Sequence, residues 1–408
     1  MDEPILPFSD DLKAPDPVAL RRSIAPLLVG YLTFGQFWGV WVVLVTAYLQ
    51  HHGLSEGDLG LQLAALSVIA ILSMTLFSPR LQFLPLAVTL PLSLAVMGLG
   101  ALAVALGSGT ILLVGFMVLG AGNGLIDVFY NVAAQAIEAR EHKPVLQWMH
   151  ACYSIGGITG GIGAGLLTVA GVDFEITMSI AAGMLFAATI WNATSRGIRA
   201  LPRPSPSDSG VSLSALRRSR RLIFPAVAVL FAFLVEGSMD IWSGQYIQTT
   251  LNASALTAGI AFAAFSFALA IGRLTAGRFL FRLGYDRTML VSGFGAFAGG
   301  IAATLTGNEV VVALAFLVLG FFIASAAPAA FGLADSTDED PALAVSAMST
   351  VGYTGFVVGP PLMGWLAEGA GLRLTMGSIA VCTLGVAITA ILDIRKHGTR
   401  PRPERATS

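Results

Sequence analysis

Charge is what this chain has least of. Only 12% of its 408 residues are Asp, Glu, Lys or Arg, while 55% are hydrophobic. Soluble domains carry about 25% charged residues. With a mean hydropathy of +0.77, lipid rather than water is the solvent for most of the surface. The net charge of −1 offers no basic face to nucleic acid, and none is expected as a partner. Cysteine is scarce too. Cys152 and Cys382 both sit in apolar runs and give neither a disulfide framework nor metal-ligand spacing. The chain has no Ser-His-Asp arrangement, no metal cluster and no G-x-x-x-x-G-K-S/T phosphate loop. An enzyme, an ATP-driven pump and a bound cofactor are therefore not expected. The N-terminus, MDEPILPFSDDLKAPDP, lacks a basic segment followed by an apolar core and does not read as a secretory signal. It reads as a disordered cytoplasmic tail.

What is present is a series of long apolar runs. A helix needs about 20 residues to cross the hydrocarbon core. Twelve such helices are predicted, over 24–49, 58–79, 82–106, 110–137, 146–170, 174–195, 222–249, 256–279, 287–306, 309–333, 342–367 and 372–394. Basic residues fall on one side of this topology: Lys13, Arg21 and Arg22; Arg80; Arg140 and Lys143; seven arginines between 196 and 221; Arg278, Arg282 and Arg287; and five Lys or Arg after residue 394. The opposite loops hold only Arg373. By the positive-inside rule both termini are cytoplasmic, in the inner or plasma membrane. The acidic loop Asp335–Asp340 is the one dissenter.

The stretch 196–221 contains LPRPSPSDSG and a basic cluster, the composition of a solvated linker. It divides the chain into a tail (1–22), a six-helix bundle (23–195), the linker (196–221), a second six-helix bundle (222–394) and a C-terminal tail (395–408). The two bundles match in order. GLQLAALSVIAIL from Gly60 aligns with GIAFAAFSFALAI from Gly259, and GFMVLG ending at Gly120 with AFLVLG ending at Gly320. SIGGITGGIGAG and TVGYTGFVVGPPLMG share glycine-rich spacing at a similar offset. The expected fold class is an all-α membrane protein of twelve transmembrane helices in two parallel six-helix repeats.

The most informative chemistry lies at membrane depth. Glu236 and Asp240 sit near the middle of the seventh run, one turn apart and so on one face. An ionisable group there costs about 2.5–3.5 kcal/mol on the insertion scale and marks a functional position by default. Two acids one turn apart repel when both ionise, so the pair can store a proton. The alternative is an ion pair with Arg273, the only basic residue deep in a predicted helix; Glu236 is its nearer partner by depth. Asp127 lies well inside the fourth helix, with Asn131 following on the same face. It is either a proton carrier or a structural acid, and Asn131 either binds a solute hydroxyl or orients Asp127. His150, one turn into the fifth helix, titrates near neutrality; it contacts solute, caps its helix or meets Glu138. Tyr31, Trp38, Trp41, Tyr130, Tyr153, Trp242, Tyr246 and Tyr353 can line a cavity, and Trp41, Tyr153 and Trp242 are singled out.

Gly277-Arg-Phe-Leu-Phe-Arg282-Leu-Gly284-Tyr-Asp-Arg287 resembles the cytoplasmic loop motif G-x-x-x-D-R-x-G-x-x-R of the Major Facilitator Superfamily, with Phe281 where the motif has its acid. Gly120-Ala-Gly122-Asn-Gly124-Leu-Ile-Asp127-Val-Phe-Tyr-Asn131 and Leu146-Gln147-Trp-Met-His150-Ala-Cys-Tyr153-Ser154-Ile-Gly156 are similar to the superfamily's fucose-permease-like branch. Glu236-Gly-Ser-Met-Asp240-Ile-Trp242-Ser243 looks like a signature of its uncharacterised bacterial relatives. Helix 1 offers Gln36 where fucose permease has a carboxylate.

The resemblance implies a monomeric secondary transporter that moves a small polar organic solute, a sugar among the candidates, by proton-coupled alternating access. Protons and the lipid bilayer are its other expected partners. Asp127, Glu236 and Asp240 are the expected proton-coupling residues. Gln36, Trp41, Asn131, His150, Tyr153, Trp242 and Arg273 are the expected solute contacts. A proton-driven exporter of drugs or metabolites and a non-transporting membrane sensor are the alternative functions.

Overall fold

The computed structural model of the protein describes residues 17–141, 143–201, 218–334 and 340–399. The central part of the expected linker, most of the acidic loop before Asp340 and most of both tails lie outside the described residues. Among those described there is helix and no strand, in twelve segments long and apolar enough to cross a membrane. They are α1 (Pro17–His52), α2 (Glu56–Leu81), α3 (Leu86–Leu106), α4 (Thr110–Glu141), α5 (Val145–Val169), α6 (Phe174–Thr194), α7 (Arg220–Thr250), α8 (Ala255–Leu283), α9 (Tyr285–Leu305), α10 (Glu309–Phe331), α11 (Pro341–Ala370) and α12 (Leu372–His397).

Every expected span is present, and local chemistry sets its ends. α3 starts four residues later than the apolar run suggests, because Pro85 takes an extended conformation at its N-cap. The Asn308 side chain accepts from the amides of Val310 and Val311 and caps α10. Gly171 and Gly371, at φ +80° and +82°, turn the chain into α6 and α12 in a conformation that L side chains rarely adopt. Two helices widen to a π turn, α2 at Ser73–Phe77 and α7 at Tyr246–Thr250. α11 continues as helix through Pro360 and Pro361.

The chain forms two compact units. The first comprises Met1–Val40, Ala65–Gly160 and Gly171–Gly210. Within it α3 packs against α4 and α6. Gly100 meets the Leu119 backbone, Gly120 the Leu66 carbonyl, and Gly156 and Gly160 the carbonyls of Leu32 and Gln36. The second unit comprises Trp41–Ala64, Gly161–Ala170 and Val211–Ser408. Within it α9 packs against α10 and α12, and α7 against α11 and α12. Here Gly299 meets the Leu319 backbone, Gly320 the Phe265 carbonyl, and Gly355 and Gly359 the carbonyls of Leu230 and Leu234. Each contact in the first unit therefore recurs about 200 residues later. The internal duplication extends to the backbone contacts that small residues permit between membrane helices.

The second unit also holds the ends of α1 and α2 around residues 41–64 and the end of α5. Gln248 Nε2 donates to the Val43 carbonyl at 2.9 Å, and Gln245 Nε2 to Glu56 Oε1 at 3.0 Å. Gly259 lies against the Gly161 carbonyl.

Candidate functional site

Among the described charged residues, four lie ten or more positions from both ends of their spans: Asp127, Glu236, Asp240 and Arg273. No group of three His, Cys, Asp or Glu among the described residues is arranged to hold a metal ion. Asp127 belongs to the first compact unit and the other three to the second.

In the first unit α4 presents Asp127 half-buried. Its Oδ1 accepts from the Tyr31 hydroxyl of α1 at 3.4 Å. Around Tyr31 stand Phe34 at 5.4 Å, Tyr130 at 5.9 Å, His150 at 5.4 Å and Tyr153 at 5.8 Å between ring centroids. Tyr31 and Phe34 are buried, whereas Tyr153 is half-buried and His150 exposed. Asn131, one turn on, donates its amide to the Asp127 main-chain carbonyl. Gln36 Nε2 donates to Thr159 Oγ1 at 3.4 Å, and Gln36 Oε1 is buried with no partner. Glu138 accepts from the Leu146 amide at 2.9 Å and so caps the start of α5. Five of the expected residues, Gln36, Asp127, Asn131, His150 and Tyr153, thus lie within one unit.

In the second unit Arg273 Nη2 and Glu236 Oε2 form an ion pair at 2.6 Å. The Glu236 side chain is 6% exposed and that of Arg273 41%, so the acid is sealed in the protein while the guanidinium keeps an accessible edge. This is the pairing expected from helix depth. Asp240, half-buried one turn further along α7, has Glu236 and Arg273 as charged neighbours. Its own carboxylate makes no hydrogen bond or close ion pair among the described residues. Trp242 is fully buried, and its indole N–H donates to the Pro360 carbonyl at 3.0 Å. Trp41 is also fully buried, its ring 5.3 Å from that of Tyr48. Both tryptophans lie in the core, with no exposed face.

Tyr31 is the residue that reasoning from sequence undervalues. It stands among eight aromatics as a cavity-lining candidate, yet it is the group that bonds Asp127. A signal exists in the helix depths. Tyr31 lies fourteen residues from the start of α1, and Asp127 fourteen from the end of α4. For a helix entering and a helix leaving on the same side, these are equal depths.

Likeness to known proteins decides the family. The family model described as Major Facilitator Superfamily matches residues 27–337 and 226–408. The chain belongs to the Major Facilitator Superfamily. It is an integral membrane protein and a transporter rather than an enzyme, with the twelve-helix superfamily fold in two six-helix repeats. It is 27% identical over 371 residues to an uncharacterized MFS-type transporter of Yersinia pestis, covering 89% of this chain and 93% of that one. It is 24% identical over 396 residues to membrane protein MosC of Rhizobium meliloti, covering 94% and 93%. Among solved structures it is similar to a mutant form of the nucleoside transporter NupG, with a TM-score of 0.74, 14% identity, and 91% and 99% of the two chains covered. A bacterial homolog of the human lysosomal transporter Spinster gives a TM-score of 0.72, also at 14% identity, with 93% and 98% covered. At that identity the two structures speak for the superfamily fold.

Proposed function

We propose that this superfamily member moves a small polar organic solute across the cell's inner membrane by proton-coupled alternating access, working as a monomer with both termini cytoplasmic. The observation that carries this reading is the charge inventory at membrane depth. Among the described residues three carboxylates lie there with one cation, and that cation closes on Glu236. Asp127 and Asp240 are left with no cationic partner in contact among the described residues. A carboxylate at such depth is expensive to keep charged and is retained where ions or protons cross. Asp127 and Asp240 are accordingly the proton-exchanging groups. Glu236 is the partner that holds Arg273 in place. Gln36, Asn131, His150 and Tyr153 supply polar and aromatic contacts to the solute.

The test is solute-induced proton flux in proteoliposomes, read with a pH-sensitive dye across a panel of sugars, polyols and their amino derivatives. A solute-dependent flux that is abolished in Asp127→Asn supports the reading. Absence of any such flux, with the protein shown to be folded and inserted, removes it.

A further inference from the structure

We propose that the solute carries a protonated amine, and that its ammonium group docks on the Asp127 carboxylate against the ring of Tyr153. This deepens the transporter reading and rests on it.

Several hydrogen-bond donors around Asp127 are already engaged. The Tyr31 hydroxyl donates to Asp127 Oδ1. The Asn131 amide nitrogen donates to the Asp127 main-chain carbonyl. A carbonyl only accepts, so the orientation of Asn131 is fixed and its Oδ1 points elsewhere. The Thr159 hydroxyl donates to a carbonyl of its own helix, Ile155 at 2.9 Å or Gly156 at 3.1 Å. It must therefore accept from Gln36, which fixes that amide as well and leaves Gln36 Oε1 buried without a donor. The Tyr31 hydroxyl and one N–H each of Asn131 and Gln36 are taken up by the protein, and each amide keeps a second N–H. The acceptors left open are the second oxygen of Asp127, Asn131 Oδ1 and, behind them, Gln36 Oε1. These oxygens, the Asp127 carboxylate first among them, are places where N–H or O–H groups of a solute can bind.

Charge narrows the class. Asp127 has no ion pair among the described residues, and the ring of His150 packs edge-on to Tyr31 at 86°. With Asp127 ionised, a neutral sugar can donate hydroxyls to these oxygens but leaves the carboxylate charge uncompensated. It therefore binds well only beside a proton, whereas a cationic solute takes the proton's place. An anionic solute meets the Asp127 carboxylate with no cation at that depth in the same unit among the described residues. An ammonium group supplies both the donors and the opposite charge. The aromatic surroundings add to this preference. Tyr31, Phe34 and Tyr153 lie within 5.2–5.8 Å of one another by centroid, and ring faces attract cations. Of the three, Tyr153 keeps an accessible edge.

The experiment is thermal unfolding of the purified full-length protein in detergent. The probes are two matched sets: glucosamine against glucose and N-acetylglucosamine, and choline against its neutral analogue 3,3-dimethylbutanol. The expected result is a concentration-dependent rise in Tm with glucosamine, with or without one from choline, and none with the neutral partners. A rise with choline alone overturns the proposal, since its quaternary nitrogen carries no N–H. Apparent affinity falls at least tenfold in Asp127→Asn, is kept within about threefold in Asp127→Glu, and falls severalfold in Tyr153→Leu. No response to either cation, or a response that persists in Asp127→Asn, overturns the proposal. Equal responses to glucose and glucosamine, both lost in Asp127→Asn, also overturn it while leaving the broader polar-solute reading standing.

Discussion

The amide of Asn131 donates to the main-chain carbonyl of Asp127, one helical turn back, and leaves the carboxylate to Tyr31. The two polar residues of α4 therefore act on different partners although they share a face. Asn131→Ala should remove one back-bond whose net contribution to stability is about 1 kcal/mol. The fold should survive with a small fall in Tm. Solute affinity should drop further than that, because the open Oδ1 goes as well. Thermal unfolding and solute-dependent flux on the same preparation separate the two effects.

Removing either partner of the Glu236–Arg273 pair should not be symmetric. Arg273→Leu strands a sealed acid and should cost about 3–5 kcal/mol, the range for an uncompensated buried charge. Glu236→Gln strands a guanidinium whose side chain is 41% exposed, and should cost clearly less. The double variant Glu236→Leu with Arg273→Leu should recover much of the stability lost in Arg273→Leu. Guanidinium or thermal unfolding curves of the three variants check the order, and equal losses in both single variants would contradict it.

Glycine substitutions should divide by contact. A Cβ at Gly120 strikes the Leu66 carbonyl, and one at Gly320 the Phe265 carbonyl. Alanine at either should cost about 1–3 kcal/mol through overpacking. Gly183, in the middle of α6, has nothing near where a Cβ would go. Gly183→Ala should be neutral or stabilising by up to about 1 kcal/mol, since alanine is the better helix former. Fluorescence-detected size exclusion after graded heating measures all three on small amounts of protein.

Trp242→Phe keeps an aromatic ring but deletes the N–H that Pro360 accepts and leaves a void in a fully buried place. A loss of about 1–3 kcal/mol is expected, from an unmatched carbonyl and missing volume. Calorimetric Tm in detergent tests it. A variant indistinguishable from the parent would show that this α7–α11 contact contributes little to stability.

The twelve spans are legible in the sequence because lipid imposes one rule, about 20 apolar residues per crossing, and few alternatives satisfy it. The duplication is legible for a related reason. Glycines that must meet a neighbour's backbone cannot drift, so Gly120 and Gly320 still align. The start of α3 at Leu86 is displaced by the conformation of one proline. The π turns at Ser73–Phe77 and Tyr246–Thr250 carry no signal, since a single widened turn barely alters the apolar pattern. In the site, depth along a helix is enough to pair Arg273 with Glu236. It is not enough for Asn131, because spacing fixes the face a side chain shares and not the rotamer that chooses between a carboxylate and a carbonyl. The burial of Trp41 and Trp242 depends on neighbours from other helices that their own segments do not reveal.

The glycine contacts bear on how the protein is made. By mean hydropathy α5 and α11 are the two least apolar of the twelve spans, and they are also the helices whose glycines press onto the carbonyls of α1 and α7. As nascent segments they have the weakest claim on the bilayer. Each emerges from the ribosome after the helix that receives it, so a docking surface already stands in the membrane when it arrives. Damage to that surface, at Leu32 or Leu230 for instance, would first appear as a span that fails to insert, before any loss of transport could be seen.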